Sequence, residues 1–331
     1  MRFTRTHIAM ALALQAGLVG AASAQSTVII YGFVDMGISK SNNGTTPGSS
    51  LPGRGPANVW SVQQGNASRI GFTGKEDLGD GSYARFQIEH RFNPDTGAAA
   101  SSAFWAGRSV VALGGTRYGE IYLGREYSPA FWVALNADPT LWSYVSMLGA
   151  AYTWGNWNGA APSDASSIRW SNMVGYKTPT FGGLNAEVST GLGENQRKNS
   201  KSANVQYREG AIWAGFGYDG LDSNNRLLMG AGSYDFGSVK LLGSYTNVKG
   251  GLNGDAKAWT TSVIVPTSFG RAYAQFGSLD PTGSNNNSKM FGAGAEYNLS
   301  KRTFLYANLG TAAKQTFTRT TTFDLGIKAG F

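Results

Sequence analysis

The sequence has no cysteine among its 331 residues. That absence removes a disulfide framework, thiolate metal sites and a cysteine nucleophile together. Charge is scarce as well: Asp, Glu, Lys and Arg make 15% of the chain, against about a quarter in an ordinary soluble domain. Only two histidines occur, His7 near the start and His90. Beyond the first 24 residues no apolar run approaches the roughly 18 residues of a membrane-spanning helix, so a helical membrane protein is excluded. A membrane barrel is not, because its strands need only about 9–11 residues of alternating character.

Glycine (46 residues) and aromatic side chains (12%) are plentiful. Both suit a β protein whose turns and crowded strands need small residues. Residues 1–24 are read as a secretory signal: Arg2 and Arg5 lead, Ile8 to Leu14 is apolar, and Ala22-Ser23-Ala24 is an A-x-A cleavage site. Its apolar stretch is too short for a membrane anchor. Cleavage between Ala24 and Gln25 leaves residues 25–331 as one domain. Lys plus Arg then falls from 28 to 26 against 20 acids, and the net charge from +8 to +6. That charge is dispersed, its longest cluster being Arg197-Lys198 with Lys201, so no nucleic-acid partner is expected.

Alternation dominates the remainder. In Ser82 to Arg91, Ala84, Phe86 and Ile88 share one face while Tyr83, Arg85, Gln87, Glu89 and Arg91 share the other. This period of two is a strand pattern. It recurs in Thr27 to Lys40, Ser68 to Lys75, Gly107 to Leu113, Glu120 to Arg125, Ile168 to Lys177 and Leu184 to Thr190. It continues through Ala203 to Tyr207, Ile212 to Tyr218, Leu227 to Tyr234, Val239 to Tyr245, Ala258 to Val265, Arg271 to Phe276, Met290 to Tyr297, Thr303 to Leu309 and Thr321 to Phe331. Sixteen segments result, joined alternately by tight turns and by longer Gly/Asn/Ser loops. The expected fold is all-β: a closed transmembrane antiparallel barrel, with short turns on one rim and long loops on the other. Closure pairs every backbone N–H and C=O, which lipid demands. A soluble sandwich is the competing architecture, but the apolar faces have no obvious partner layer.

One segment breaks the alternation. Tyr127 to Ser167 carries eight aromatics, two acids (Asp138 and Asp164) and no Lys or Arg. A connection of that length inside a compact domain is usually functional. It is expected to fold into the barrel and narrow it, with arginines facing it across a pore.

The chain resembles the Gram-negative general porins over essentially its whole mature length. The resemblance rests on Tyr31-Gly32-Phe33-Val34-Asp35 and on the run Ser68-Arg69-Ile70-Gly71-Phe72-Thr73-Gly74-Lys75-Glu76-Asp77-Leu78-Gly79. It rests also on Gly107-Arg108, on Tyr122-Leu123-Gly124-Arg125 and on the terminal Phe331. It implies a homotrimeric sixteen-stranded diffusion channel in the cell outer membrane, with the third external loop folded into the lumen. Outer-membrane lipids and lipopolysaccharide, the barrel assembly machinery, and small hydrophilic solutes and ions are the partners so implied. Phe331 would be the assembly signal. The basic ladder of the family falls on Arg69, Arg108 and Arg169, with Arg85 on the inward face of a neighbouring strand. Asp138 is the acid expected to face them from the first half of the loop. So few loop carboxylates suggest a modest preference for anions, since rings of Arg or Lys line anion pores.

Two readings of Trp142, Tyr144, Trp154 and Trp157 stand: a sugar-stacking track, or packing of the loop against the inner wall. Tyr218, Tyr234, Tyr245 and Tyr297 read as interfacial girdle residues. Enzymatic readings find little. Gly79-Asp80-Gly81-Ser82-Tyr83-Ala84 fits G-x-G-x-x-A, but it lies in a hairpin turn rather than between a strand and a helix. A serine hydrolase would need a Ser and an orienting partner beside His90, and nothing nominates them. No catalysis, cofactor or metal is expected.

Overall fold

The computed structural model describes residues 27–44, 57–157, 168–195, 198–251, 254–283 and 287–331. The expected signal segment with its Ala24–Gln25 junction, the end of the long segment with Asp164, and Arg197 lie outside these residues.

Sixteen strands of eight to fifteen residues follow one another: β1 Thr27–Ser41, β2 Arg69–Gly79, β3 Ser82–Asn93, β4 Arg108–Gly115, β5 Gly119–Tyr127, β6 Arg169–Lys177, β7 Leu184–Gly191 and β8 Ser200–Glu209. The second half holds β9 Ile212–Asp222, β10 Asn225–Asp235, β11 Lys240–Gly251, β12 Gly254–Thr267, β13 Gly270–Pro281, β14 Ser288–Asn298, β15 Thr303–Lys314 and β16 Thr320–Gly330. Two short pieces, Ser61–Gln63 and Ala98–Ala99, pair onto β1 and β3. Each long strand pairs antiparallel with the next. The ring closes where β1 gives its first half to β2 and its second half to β16, with Phe33 opposite both Arg69 and Gly330. Among the described residues no strand edge is left open, which is what spanning a bilayer with strands requires.

Burial is inverted relative to a water-soluble protein. Outward side chains are large and apolar, with Val111, Leu113, Ile121 and Leu123 each at least half exposed. Inward ones are polar and covered: Asp35, Glu126, Asp219 and Thr246 have no accessible surface. An apolar belt of this extent is stable against lipid and not against water. Tyr234 and Tyr297 are exposed near the turn ends of their strands, where a girdle belongs, whereas the exposed Tyr245 sits mid-strand.

The segment after β5 is not structureless. Helix α1, Pro129–Asn136, begins with Pro at its first position, where a missing N–H costs nothing. Its Ala130, Phe131, Val133 and Ala134 are buried, and Pro139 follows soon after its end. A single turn, α2 Gly149–Tyr152, comes later. Between them Leu141, Trp142 and Tyr144 hold positive φ of 52°, 57° and 66°. Bulky residues rarely adopt that conformation.

Candidate functional site

The inward faces of β2 to β6 bring four arginines together. Arg91 sits across from Arg69 in register, and Arg108 across from Glu89. Glu89 accepts from Arg91 Nε at 2.8 Å and lies 3.9 Å from the Arg69 guanidinium. Tyr31 Oη also donates to Glu89, at 3.2 Å. Arg108 forks onto Glu126, with Nε to Oε1 at 2.8 Å and Nη2 to Oε2. Glu126 is wholly covered, so its charge is held behind Arg108 rather than offered to solvent. Such bidentate pairs fix a guanidinium in place as well as stabilising it.

A β-bulge makes this arrangement possible. Pairing of β5 with β6 shifts between Gly124 and Glu126. Gly124 has φ of 125°, and a Cβ there would collide with the carbonyl oxygen of Ser109. Only glycine fits such a position. Beyond the bulge two consecutive side chains, Glu126 and Tyr127, both reach the inward arginines. Tyr127 Oη accepts from Arg91 at 2.9 Å and from Arg169 at 2.5 Å. The Arg169 guanidinium carbon lies 4.3 Å from the Tyr127 ring centre.

These groups border a cavity of about 610 Å³. Among the described residues lining it are five cationic side chains, Arg69, Arg91, Arg108, Arg169 and Lys328, and one carboxylate, Glu89. Its other side is apolar and comes from the segment after β5: Trp132 and Leu135 of α1, then Leu141 and Trp142. Arg108 and Trp132 meet across it, the guanidinium carbon 5.7 Å from the indole centre.

The same segment is fastened to the inward faces of many strands. Ala130 N–H donates to Ser202 Oγ at 3.1 Å, and Asn204 Nδ2 donates to the Pro129 carbonyl at 2.6 Å. Its tip binds the other wall: Val145 N–H to Asp324 at 3.0 Å, Tyr144 N–H to the Gly65 carbonyl at 2.7 Å, and Gln275 to the Ser146 carbonyl. Tyr152 Oη meets Ser288 Oγ at 2.7 Å, and Thr246 donates to the Thr153 carbonyl at 2.8 Å. Phe131, Tyr152, Trp154 and Trp157 join a buried apolar cluster with Trp213, Leu227, Met229, Val248, Leu279 and Met290 of β9 to β14. Trp154 and Trp157 are therefore packing residues. Trp142 alone of the four aromatics named for this question also borders the cavity.

Residues 9–316 match the Gram-negative porin family. The chain belongs to that family. The porin is 32% identical to Outer membrane porin protein 32 of Delftia acidovorans, across 88% of this chain and 85% of that one. It is 29% identical to an outer membrane porin protein of Bordetella pertussis, across 92% of this chain and 93% of that one. Its backbone resembles that of the anion-selective porin from Comamonas acidovorans with a TM-score of 0.77 at 23% identity, covering 93% of this chain and all of that one. Family, barrel and lipid-facing belt together make it a multi-pass outer-membrane protein. They point to a channel rather than an enzyme.

Of the expected site residues, Arg69, Arg108 and Arg169 do converge on one cavity. Arg85 does not border it. It forks onto Glu120 instead, at 2.6 and 2.5 Å, nearer the short-turn rim. Asp138 does not face the arginines across the cavity either. Its carboxylate points into its own segment, accepting from Thr140 N–H (2.8 Å) and Oγ1 (2.6 Å) and from the N–H groups of Leu148 (2.8 Å) and Gly149 (3.0 Å). Burial raises the Asp138 carboxyl above the usual range, and those four donors oppose the rise. Arg91, Tyr127 and Lys328 border the cavity and Glu126 stands behind Arg108; none of the four was foreseen. The signal for Arg91 was its phase with Arg85 and Glu89, and for Lys328 its phase with Thr322 and Asp324. For Glu126 it was its phase with Glu120 and Tyr122; Tyr127 gave none, because the bulge breaks the phase.

Proposed function

We propose that the porin passes small hydrophilic solutes and ions by diffusion, with a modest preference for anions. The segment from Ser128 onward lies across the barrel interior and narrows it to a waist. Its attachments to strands as far apart around the ring as β8, β11, β13 and β16 support this course. The observation that carries the anion preference is the lining: five cations and one carboxylate among the described residues. Guanidiniums keep their charge at any relevant pH. Crowded in this way they are tolerable only beside water and counter-charge, and they raise the local concentration of anions. The likeness of this barrel to the Comamonas acidovorans porin, itself described as anion-selective, agrees with that preference.

Three further parts complete the reading. Residues 1–24 are an export signal removed after Ala24. Three copies associate in the outer membrane among lipids and lipopolysaccharide, which rests on the resemblance to general porins. Phe331, whose N–H donates to the Gly32 carbonyl at 3.1 Å and whose side chain is exposed, is the signal for the barrel assembly machinery. Deleting it should impair assembly, and normal surface trimers would remove that role.

Planar-bilayer recording in a potassium chloride gradient tests the main claim. The reversal potential should have the sign of anion preference, and Arg69→Glu should move it towards cations. A cation-preferring or indifferent wild-type pore would overturn the reading.

A further inference from the structure

The cavity has two unlike sides, and general diffusion explains only one of them. Cations attract any small anion. The opposite side presents Trp132, Leu135, Leu141 and Trp142, which offer a hydrated ion nothing. Leu141 is 52% exposed there. It and Trp142 are held by two successive left-handed backbone conformations, at φ of 52° and 57°. Strain of that kind persists where surrounding structure over-determines it, and it clusters at functional sites. A polar residue such as Asn would adopt the same backbone with less strain and better hydration.

The cationic side is also more organised than a screen of charge. Tyr127 Oη accepts from Arg91 at 2.9 Å and from Arg169 at 2.5 Å, which occupies both of its lone pairs. Its own proton is therefore directed away from both guanidiniums. Arg69, at the rim of this group, is held by Asn66 at 3.2 Å and stacks on Phe33, with its guanidinium carbon 4.5 Å from the ring centre. The donors are fixed before any solute arrives, and preorganised donors bind better than flexible ones. Apolar walls with a few placed polar groups are the usual make-up of a small-molecule site.

We propose that the cavity is a binding station for small amphipathic carboxylates, above all aryl carboxylates of benzoate size. The carboxylate sits among Arg69, Arg91, Arg169 and the Tyr127 hydroxyl, and the ring lies against Leu141 and Trp142. The proposal rests on the cavity being the solute path. It adds that the path holds one chemical class for longer than others. Charge draws the solute in, and contact of the ring with Leu141 and Trp142 slows its departure.

The test is single-channel recording on the full-length porin in lipid bilayers, with benzoate, cyclohexanecarboxylate, acetate and anilinium added in turn to the chloride electrolyte. Benzoate should interrupt the current at about tenfold lower concentration than acetate, the ratio that desolvating one such apolar contact supplies. Cyclohexanecarboxylate should fall between them and anilinium should have no effect. Equal action of acetate and benzoate would overturn the proposal, because charge alone would then suffice. So would equal action of anilinium, because apolarity alone would. The reversal potential in chloride, taken on the same channels, tests the diffusion reading separately: anion preference with no benzoate effect sinks only the binding station. Leu141→Asn, which suits the left-handed backbone, should raise the benzoate concentration needed by about tenfold. An unchanged requirement would contradict the assigned ring position, and the ligand series on the wild type stands even where the variant assembles poorly.

Discussion

The two halves of the barrel wall use polar side chains in opposite ways. On β2 to β6 the inward groups are charged: Arg69, Arg91, Arg108 and Arg169, with Glu89 and Glu126 among them. On β11 to β15 they are mostly hydroxyls and amides: Ser244, Thr246, Thr260, Gln275, Ser288 and Asn308, all buried. The first wall borders the cavity. The second is covered by the long segment, donating to its Thr153 and Ser146 carbonyls and accepting from the Ser146 hydroxyl. Where water reaches, charge is tolerated and sets which solutes enter. Where protein covers the wall, uncharged groups satisfy the segment at far lower desolvation cost. The charged exception inside that region is Arg271, which forks onto the buried Glu296 at 2.7 Å and donates to the Pro139 carbonyl at 3.0 Å. Asp35 of β1 and Asp324 of β16, just beyond it, act as fasteners, accepting from Gly65 N–H at 2.6 Å and from Val145 N–H at 3.0 Å.

Four substitutions would break or sharpen that contrast, taken from the largest expected effect down. Asp138→Ala leaves four donors without an acceptor inside the segment. At about 1 kcal/mol or more for each group left unsatisfied, the cost approaches several kcal/mol, and the current should become noisier. Its reversal potential should stay near that of wild type; a large shift towards anions would return Asp138 to the pore. Glu126→Ala removes the covered carboxylate onto which Arg108 forks; because the guanidinium still borders the cavity, the loss falls at or below the lower end of the roughly 3–5 kcal/mol for breaking a buried pair. Thermal unfolding followed by circular dichroism should show a clear loss, and an unaltered midpoint would mean that Glu126 does not hold Arg108 in place. Asp324→Ala frees the Val145 N–H for about 1–3 kcal/mol and loosens the tip of the segment, so conductance should rise. A lower conductance would count against the fastening role. His90→Ala should cost less than about 1 kcal/mol, because it removes a contact to the Phe104 carbonyl at 2.6 Å and stacking on Phe104 and Phe92 at the outer face. Single-channel currents of His90→Ala should match those of wild type, and a changed current would tie the outer face to the pore.

Much of the barrel was legible because lipid imposes a period of two. The alternation located all sixteen long strands, yet it under-measured those of the second half at the long-loop rim. It ended β11 at Tyr245, whereas pairing continues to Gly251, and it began β12 at Ala258 rather than Gly254. It also stopped β13 at Phe276 instead of Pro281. The added residues Asn247, Lys249, Asp255 and Lys257 are polar on the outward face, while Val248, Ala256 and Leu279 are apolar and buried on the inward one. Backbone pairing does not need an outward apolar face once the strand has left the lipid, so the apolar-out pattern does not mark the continuation. At the short-turn rim, where apolar residues run up to the turn, expected and observed ends differ by two residues or fewer for β9 to β15.

The cavity was legible where phase persists and illegible where it fails. Arg69 and Arg108 could be placed inward from their neighbours. Tyr127 could not, because past the bulge at Gly124 it turns the same way as Glu126, which alone keeps the phase of Glu120 and Tyr122. Asp138 misled for another reason. A lone acid in a loop suggests a solvated charge, and only the folded backbone shows that the Thr140, Leu148 and Gly149 N–H groups converge on it.

The most direct test of the central claim uses the absence of native cysteine. Leu141→Cys offers a single thiol at the face of the segment opposite the arginines. Treating open channels with a negatively charged thiol reagent should lower the current in discrete steps and move the reversal potential towards cations. Modification that goes to completion with conductance and selectivity unaltered would mean that the segment does not form the waist, and the account would be contradicted.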